Sequence, residues 1–215
     1  MLAKVKFCGM KRAEDAALAA ELGAAYIGAI FAESRRRVTP LEARGIFAAA
    51  GTGVKRVGVF GTNAPDEISE AASVAELDVV QLHADPTVVD VAALREVFSG
   101  EIWAAVRISG ADLPPEAESL FEVSDAIVLD ARSQHLLGGT GQALPWSELG
   151  ADLARVRGNS SVVLAGGLNP GNVETAIRTL APDVVDVSSG VESAPGIKDP
   201  RLMREFAAAV AGSRR

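Results

Sequence analysis

The chain has 215 residues, 48% hydrophobic and 23% charged, a globular mixture rather than a disordered or fibrous one. Its formal charge of −7 argues against a nucleic-acid or anionic-membrane partner, which needs a basic face, so any anionic ligand must be met at one local site. One cysteine excludes an internal disulfide, no segment approaches the ~20 apolar residues of a membrane span, and the first ten residues carry no signal-like apolar stretch. The expected protein is soluble and cytoplasmic.

Short β-branched runs alternate with Ala-rich segments of helical spacing along the whole chain. The first run is Val5–Cys8, followed by a helix over 12–22 that Gly23 stops. Tyr26–Phe31 precedes a helix from Pro40, and Arg56–Phe60 one from Pro65. Asp78–Leu82 leads to a helix over about 87–97, and Ile102–Arg107 to one near Pro114. Ala126–Asp130 runs through a long loop to a helix from Pro145. Val162–Ala165 is followed by a helix from Pro170, and Val184–Ser188 by one from Pro200. Proline thus opens six helices, as its fixed φ and missing N–H suit the first helical position.

Strands alternating with helices predict a parallel sheet with right-handed crossovers. Eight units of about 27 residues fit a closed α/β barrel better than an open doubly wound sheet, whose G-x-G-x-x-G fingerprint is missing after the first strand. The expectation is a single (β/α)₈ TIM barrel over residues 1–215, eight parallel strands ringed by helices. No linker or low-complexity tract interrupts it.

In such a barrel the chemistry gathers at the C-terminal ends of the strands. The seventh strand opens onto Gly166 and Gly167, and the eighth onto Ser189 and Gly190. Bare backbone N–H groups in these two loops, with a short helix starting near Gly190, predict a phosphate nest that needs no lysine. The alternative is that the glycines only make tight turns. Asp130 ends the sixth strand, before a loop containing Gly138-Gly139-Thr140-Gly141 that can fold over an anion. It is either a loop cap or a carboxyl held protonated in a closing, dry site. Cys8 reads equally as a buried small hydrophobe or as a rim thiol activated by a cation. Strand parity sets Lys6 and Cys8 on the face opposite Val5 and Phe7, pointing into the barrel. An inward ammonium needs a carboxylate, and Asp186 on the neighbouring eighth strand has the matching parity. Arg36, within a run of three arginines, is either solvated or poised to grip a ligand carboxylate bidentately. His83 is read as a hydrogen-bonded rim residue, with acid–base action as the alternative. Neither histidine has a ligating companion at metal-binding spacing, so no metal site is expected.

Taken together, these segments resemble the phosphoribosylanthranilate isomerase family of tryptophan biosynthesis. The resemblance lies in Val5-Lys6-Phe7-Cys8-Gly9-Met10, Ser34-x-Arg36, Val80-Gln81-Leu82-His83, Leu129-Asp130 with Gly138–Gly141, Leu164–Pro170, and Asp186–Glu192 followed by Pro195–Asp199. Arg35 stands where the family often has proline, and Ala84 where it has glycine. The resemblance implies an Amadori rearrangement of a small phosphorylated substrate, with Asp130 as general acid and Cys8 as general base. Arg36 would hold the substrate carboxylate, and Gly141, Gly166, Gly167, Ser189 and Gly190 would bind around the phosphate. Lys6 and Asp186 would support the site. It implies no cofactor and no metal, in a monomer or homodimer. A sister barrel acting on a histidine-pathway aminoaldose phosphate would carry a carboxylate where Cys8 stands. Two rivals remain open beside it: activity on both substrates, and a silent barrel that only binds.

Overall fold

The eight apolar runs become the staves of one parallel barrel. The computed structural model describes residues 3–108, 113–131, 149–150, 153 and 155–213. In chain order its first half holds β1 (Lys4–Phe7), α1 (Ala13–Glu21), β2 (Tyr26–Ile30), α2 (Pro40–Ala48), β3 (Lys55–Phe60), α3 (Pro65–Ala75), β4 (Val79–Leu82) and α4 (Val88–Arg95). The second half holds β5 (Glu101–Ile108), α5 (Ala117–Val123), β6 (Ala126–Ala131), β7 (Ser161–Ala165), α6 (Val173–Leu180), β8 (Val184–Val187) and α7 (Pro200–Gly212). Each strand pairs in parallel with its sequence neighbour, and β8 returns to β1 with Lys6 opposite Asp186. Closure leaves the barrel no free edge.

Two apolar layers follow from strand alternation. Residues such as Phe7, Ile27, Ile102, Leu129 and Val185 pack outward against helix residues such as Ala16, Phe47, Ile177 and Phe206. Tyr26, Val57, Val79, Trp103, Val128, Val163 and Val184 form a separate cluster built from strand residues. That cluster fills the barrel's interior, with Tyr26 edge-on to Trp103 at 4.9 Å between ring centres. It floors the cleft above it.

Local chemistry sets the helix starts. Thr39 and Thr87 each form a capping box with the carboxylate three residues on, Glu42 and Asp90. Asp199 accepts from the Arg201 and Leu202 N–H groups at the head of α7. Proline is the first helical residue in α2, α3 and α7. Pro114 and Pro170 instead lie in turns, and their helices begin at Ala117 and Val173. In the second case Asn169 and Asn172 tie down the turn: Asn169 N–H donates to Asn172 Oδ1 and Gly171 N–H to Asn169 Oδ1. The helix expected from Pro145 begins outside the described residues; 149–150, 153 and 155–156 are helical.

One element has no counterpart in the periodicity of the sequence. A two-stranded hairpin, β9 (Glu192–Ala194) and β10 (Ile197–Lys198), sits between β8 and α7. Strands of three and two residues are too short to show a period. Among the described residues no helix is long and apolar enough to cross a membrane.

Candidate active site

A cleft of about 360 Å³ opens at the C-terminal mouth of the barrel. Cys8, Arg36, Asp130, Gly166, Gly167, Asp186 and Ser189 all line it. His83 and Gln81 line it too. Lys6 lies in the layer below, fully buried. Gly190 sits in the one-turn 3₁₀ segment Ser189–Val191. Gly141 lies outside the described residues.

On the β1 side, Lys6 Nζ donates to Asp186 Oδ2 at 2.6 Å and to Gln81 Oε1 at 3.0 Å. Burial works against its charge, but Asp186, and Cys8 after it, outweigh that and hold the ammonium above its ordinary value. Cys8 follows β1 directly, its N–H donating to Val187 O at 2.8 Å. Burial pushes its thiol up; Lys6 pulls it back, Asp186 adds to the rise, and Lys198 opposes it. The net direction is upward. Gly28 on β2 makes room for both side chains. A Cβ there would lie 2.9 Å from Cys8 Sγ and 3.3 Å from Lys6 Cε.

Arg36 is held from below. Its Nε and Nη2 donate to both carboxylate oxygens of Glu192 at 2.7–3.0 Å, a side-on bidentate pair. Glu192 also accepts from Lys198 Nζ at 2.9 Å. Burial would raise the Glu192 carboxyl, yet the bonds from Arg36 and Lys198 hold it below its ordinary value. Lys198 itself is fully buried, and burial depresses its ammonium despite Glu192. It donates further to Cys8 O at 2.6 Å and Ser188 O at 3.1 Å. The hairpin therefore clamps the ends of β1 and β8 together and steadies the arginine. Arg36 reaches this position because Gly9, at φ +72°, has no side chain; a Cβ there would meet Arg36 Cδ at 2.8 Å.

The glycine loops after β7 and β8 are packed backbone to backbone. A Cβ on Gly190 would come within 1.8 Å of Leu168 O, so only glycine allows the loops after β7 and β8 to approach this closely. Gly166 and Gly167 have φ of +89° and +67°, a left-handed pair that turns the chain sharply at the rim.

On the opposite side, Asp130 stands on β6 beside Arg107 of β5, and Arg107 is paired with Asp85. His83 Nε2 lies 3.4 Å from Asp130 Oδ2, and its Nδ1 lies 3.2 Å from Gln81 Nε2. The cleft thus sets a thiol and a carboxyl around one ligand-sized space, with a guanidinium and two glycine loops at its rim. Such a set can protonate one atom of a ligand and deprotonate another while anionic groups are held at either end.

Sequence reasoning assigns no role to Gln81, Glu192 or Lys198. Gln81 had a usable signal, since it shares a strand face with His83 and parity aims it inward. Glu192 and Lys198 carried only their place in the motif-bearing stretch after the eighth strand.

A family model described as N-(5'phosphoribosyl)anthranilate (PRA) isomerase matches residues 5–209. An N-(5'-phosphoribosyl)anthranilate isomerase from Rubrobacter xylanophilus is 44% identical over 97% of this chain and 98% of its own. The phosphoribosyl anthranilate isomerase of Thermotoga maritima superposes with a TM-score of 0.87 at 35% identity, covering 98% of this chain and all of that one. A further isomerase structure, in complex with reduced 1-(o-carboxyphenylamino)-1-deoxyribulose 5-phosphate, superposes at 0.83 with 33% identity, covering 98% and 100%. With its barrel, its cleft and these matches over nearly its whole length, the chain belongs to the N-(5'-phosphoribosyl)anthranilate isomerase family.

Proposed function

We propose that the cleft rearranges N-(5-phosphoribosyl)anthranilate to 1-(2-carboxyphenylamino)-1-deoxyribulose 5-phosphate by general acid–base catalysis, in one catalytic unit spanning residues 1–215 of a soluble, cytoplasmic protein. The observation that carries it is the joint lining of one cleft by Cys8, Asp130, Arg36 and the two glycine loops. Asp130 protonates the ribose ring oxygen, and the ring opens to an iminium. Cys8 then removes the proton from the adjacent carbon, and the resulting enolamine tautomerises to the ketone. Each proton transfer contributes roughly 10²–10⁴-fold.

The substrate carries an anion at each end, and the site has one receptor for each. Glu192 takes the Nε–Nη2 edge of Arg36, which leaves the Nη1–Nη2 edge to grip the anthranilate carboxylate. Backbone N–H groups of Gly166, Gly167, Ser189 and Gly190 receive the phosphate. Lys6 supports the thiolate form of Cys8, and Asp186 keeps Lys6 charged. The chemistry calls for no cofactor, since a proton leaves carbon and another reaches oxygen with no net redox change.

Purified protein mixed with phosphoribosylanthranilate should consume the fluorescent adduct, and Cys8→Ala should abolish that loss. No turnover by the unaltered protein would reject the isomerase reading. Full turnover by Cys8→Ala would reject the base assignment alone. An aminoaldose phosphate of the histidine pathway, run beside it, separates a dual-substrate enzyme from a specific one.

A further inference from the structure

A continuous polar chain crosses the barrel at the floor of the cleft, from Asp186 through Lys6, Gln81 and His83 to Asp130. Its contacts are 2.6, 3.0, 3.2 and 3.4 Å in that order. The direction of every proton in it is fixed from one end. Lys6 has only donors to offer, and Asp186 keeps it charged. Gln81 must therefore present its carbonyl oxygen to Lys6, which aims its NH₂ at His83 Nδ1. An amide flip would set NH₂ against an ammonium at 3.0 Å, a contact between two donors. Facing a donor, Nδ1 must carry its lone pair, so the one ring proton of a neutral His83 is on Nε2. That nitrogen faces Asp130.

We propose that Gln81 and His83 are positioning residues that fix proton direction on the acid side of the cleft: Gln81 holds His83 as the neutral Nε2–H tautomer, and His83 offers that N–H to Asp130 Oδ2. This rests on the acid role proposed for Asp130. The other states of the ring would work against that role. The Nδ1–H tautomer would turn a lone pair onto Asp130. An imidazolium would break the bond to Gln81 and hold Asp130 as a carboxylate by its full charge. A neutral N–H does neither. Asp130 then gives its proton to the substrate with His83 beside its Oδ2. When that proton has moved to the substrate, a donor is already in place for the carboxylate that remains.

The charged and titratable groups facing this pair come from several elements. Among the described residues they are Lys6 and Cys8 at β1, Glu33 and Arg36 after β2, Arg107 with its partner Asp85, and Asp186 on β8. Among the described residues, Lys6 touches Gln81 directly while Arg36 is engaged by Glu192 and Arg107 by Asp85.

The chain has two histidines, so His135→Gln leaves one imidazole to observe. Long-range ¹H–¹⁵N spectra of that protein at pH 7.5 should show His83 as the Nε2–H tautomer. An Nδ1–H tautomer or an imidazolium would overturn the proposal, whatever the protein catalyses. Kinetics supply the second arm. His83→Gln keeps the order of acceptor toward Gln81 and donor toward Asp130, so it should recover most of the kcat that His83→Leu loses, roughly 10²-fold. If His83→Gln is as slow as His83→Leu, the imidazole itself moves the proton and the positioning role is wrong. If His83→Leu is as fast as the parent, the pair is only a rim feature. Gln81→Met should lose both the single tautomer and the rate. Absence of turnover in the parent protein would reject the isomerase reading and leave the tautomer measurement standing.

Discussion

The two sides of the cleft are held by different kinds of contact. Around Cys8 lie three cations, Lys6, Lys198 and Arg36, with the carboxylates of Asp186 and Glu192 among them. On the Asp130 side, among the described residues, stand the His83 imidazole and the Gln81 amide behind it, and the nearby Arg107 is paired with Asp85. The difference matches what each side is proposed to do. A base must reach its anionic form, which cations favour, while an acid must keep a proton that cations would drive off. A single cleft can run both only if the two groups keep different surroundings. The ion pairs are thus more than staples: they polarise the site.

The strongest way to break the comparison is to remove either group. Cys8→Ala and Asp130→Asn should each lower kcat by roughly 10²–10⁴-fold, read by the fluorescence assay, with folding intact by circular dichroism. Next in size is the support beneath the base. Lys6→Met leaves Asp186 as a buried, unpaired carboxylate and should cost about 3–5 kcal/mol in chemical denaturation. Lys6→Met with Asp186→Leu should recover most of that stability, since no charge is stranded. The double variant separates stability from chemistry. Burial already holds the Cys8 thiol above its ordinary value, and the thiolate is the reactive form, so kcat/KM should rise with pH on the alkaline side. Losing Lys6 moves that limb to higher pH. Losing Asp186 as well moves it part of the way back, because its anion disfavours the thiolate less than Lys6 favours it. An unmoved limb in both variants would mean that Lys6 does not act on Cys8.

The barrel itself was legible because it is periodic. Parity alone set Lys6, Cys8 and Asp186 facing inward, and the register of β8 with β1 places the ion pair where that parity requires. Glycine runs marked the rim because backbone geometry demands them: Gly190 has Leu168 O where a Cβ would go. What was illegible depends on meetings between distant residues without a period. Arg36 reads in sequence as one of three adjacent arginines. Its partner Glu192 is 156 residues away, in a hairpin too short to announce itself. Gln81 was placed correctly by its strand, but its role exists only through contacts to β1 and to His83.

A smaller effect tests the hairpin's part in the base side. Glu192→Gln keeps the shape but removes the charge that locks Arg36 and offsets Lys198. KM should rise roughly tenfold, a loss of about 1.4 kcal/mol, with kcat less affected. The same variant should flatten the acid limb of stability. The Glu192 carboxyl is held below its ordinary value of 4.5, so its contribution is complete above that value and fades as pH falls through the folded-state value. A kcat loss as large as that of Cys8→Ala would show that the hairpin serves the chemistry rather than the grip.

The smallest expected effect compares the scaffolds of the two sides directly. Thr39 and Thr87 form the same capping box, one on α2 after the Arg36 loop and one on α4 after His83. Thr39→Ala and Thr87→Ala should each cost about 1 kcal/mol of stability. Their kinetics should differ. Arg36 is tied to Glu192 of the hairpin, outside α2, so slackening α2 leaves its grip, and hence KM, unchanged. Among the described residues His83 has no bidentate ion pair of that kind, only an amide and the 3.4 Å approach to Asp130. A looser α4 should therefore register in kcat. Equal kinetics in the two variants would mean that the contacts of His83 hold it as firmly as the Glu192 pair holds Arg36.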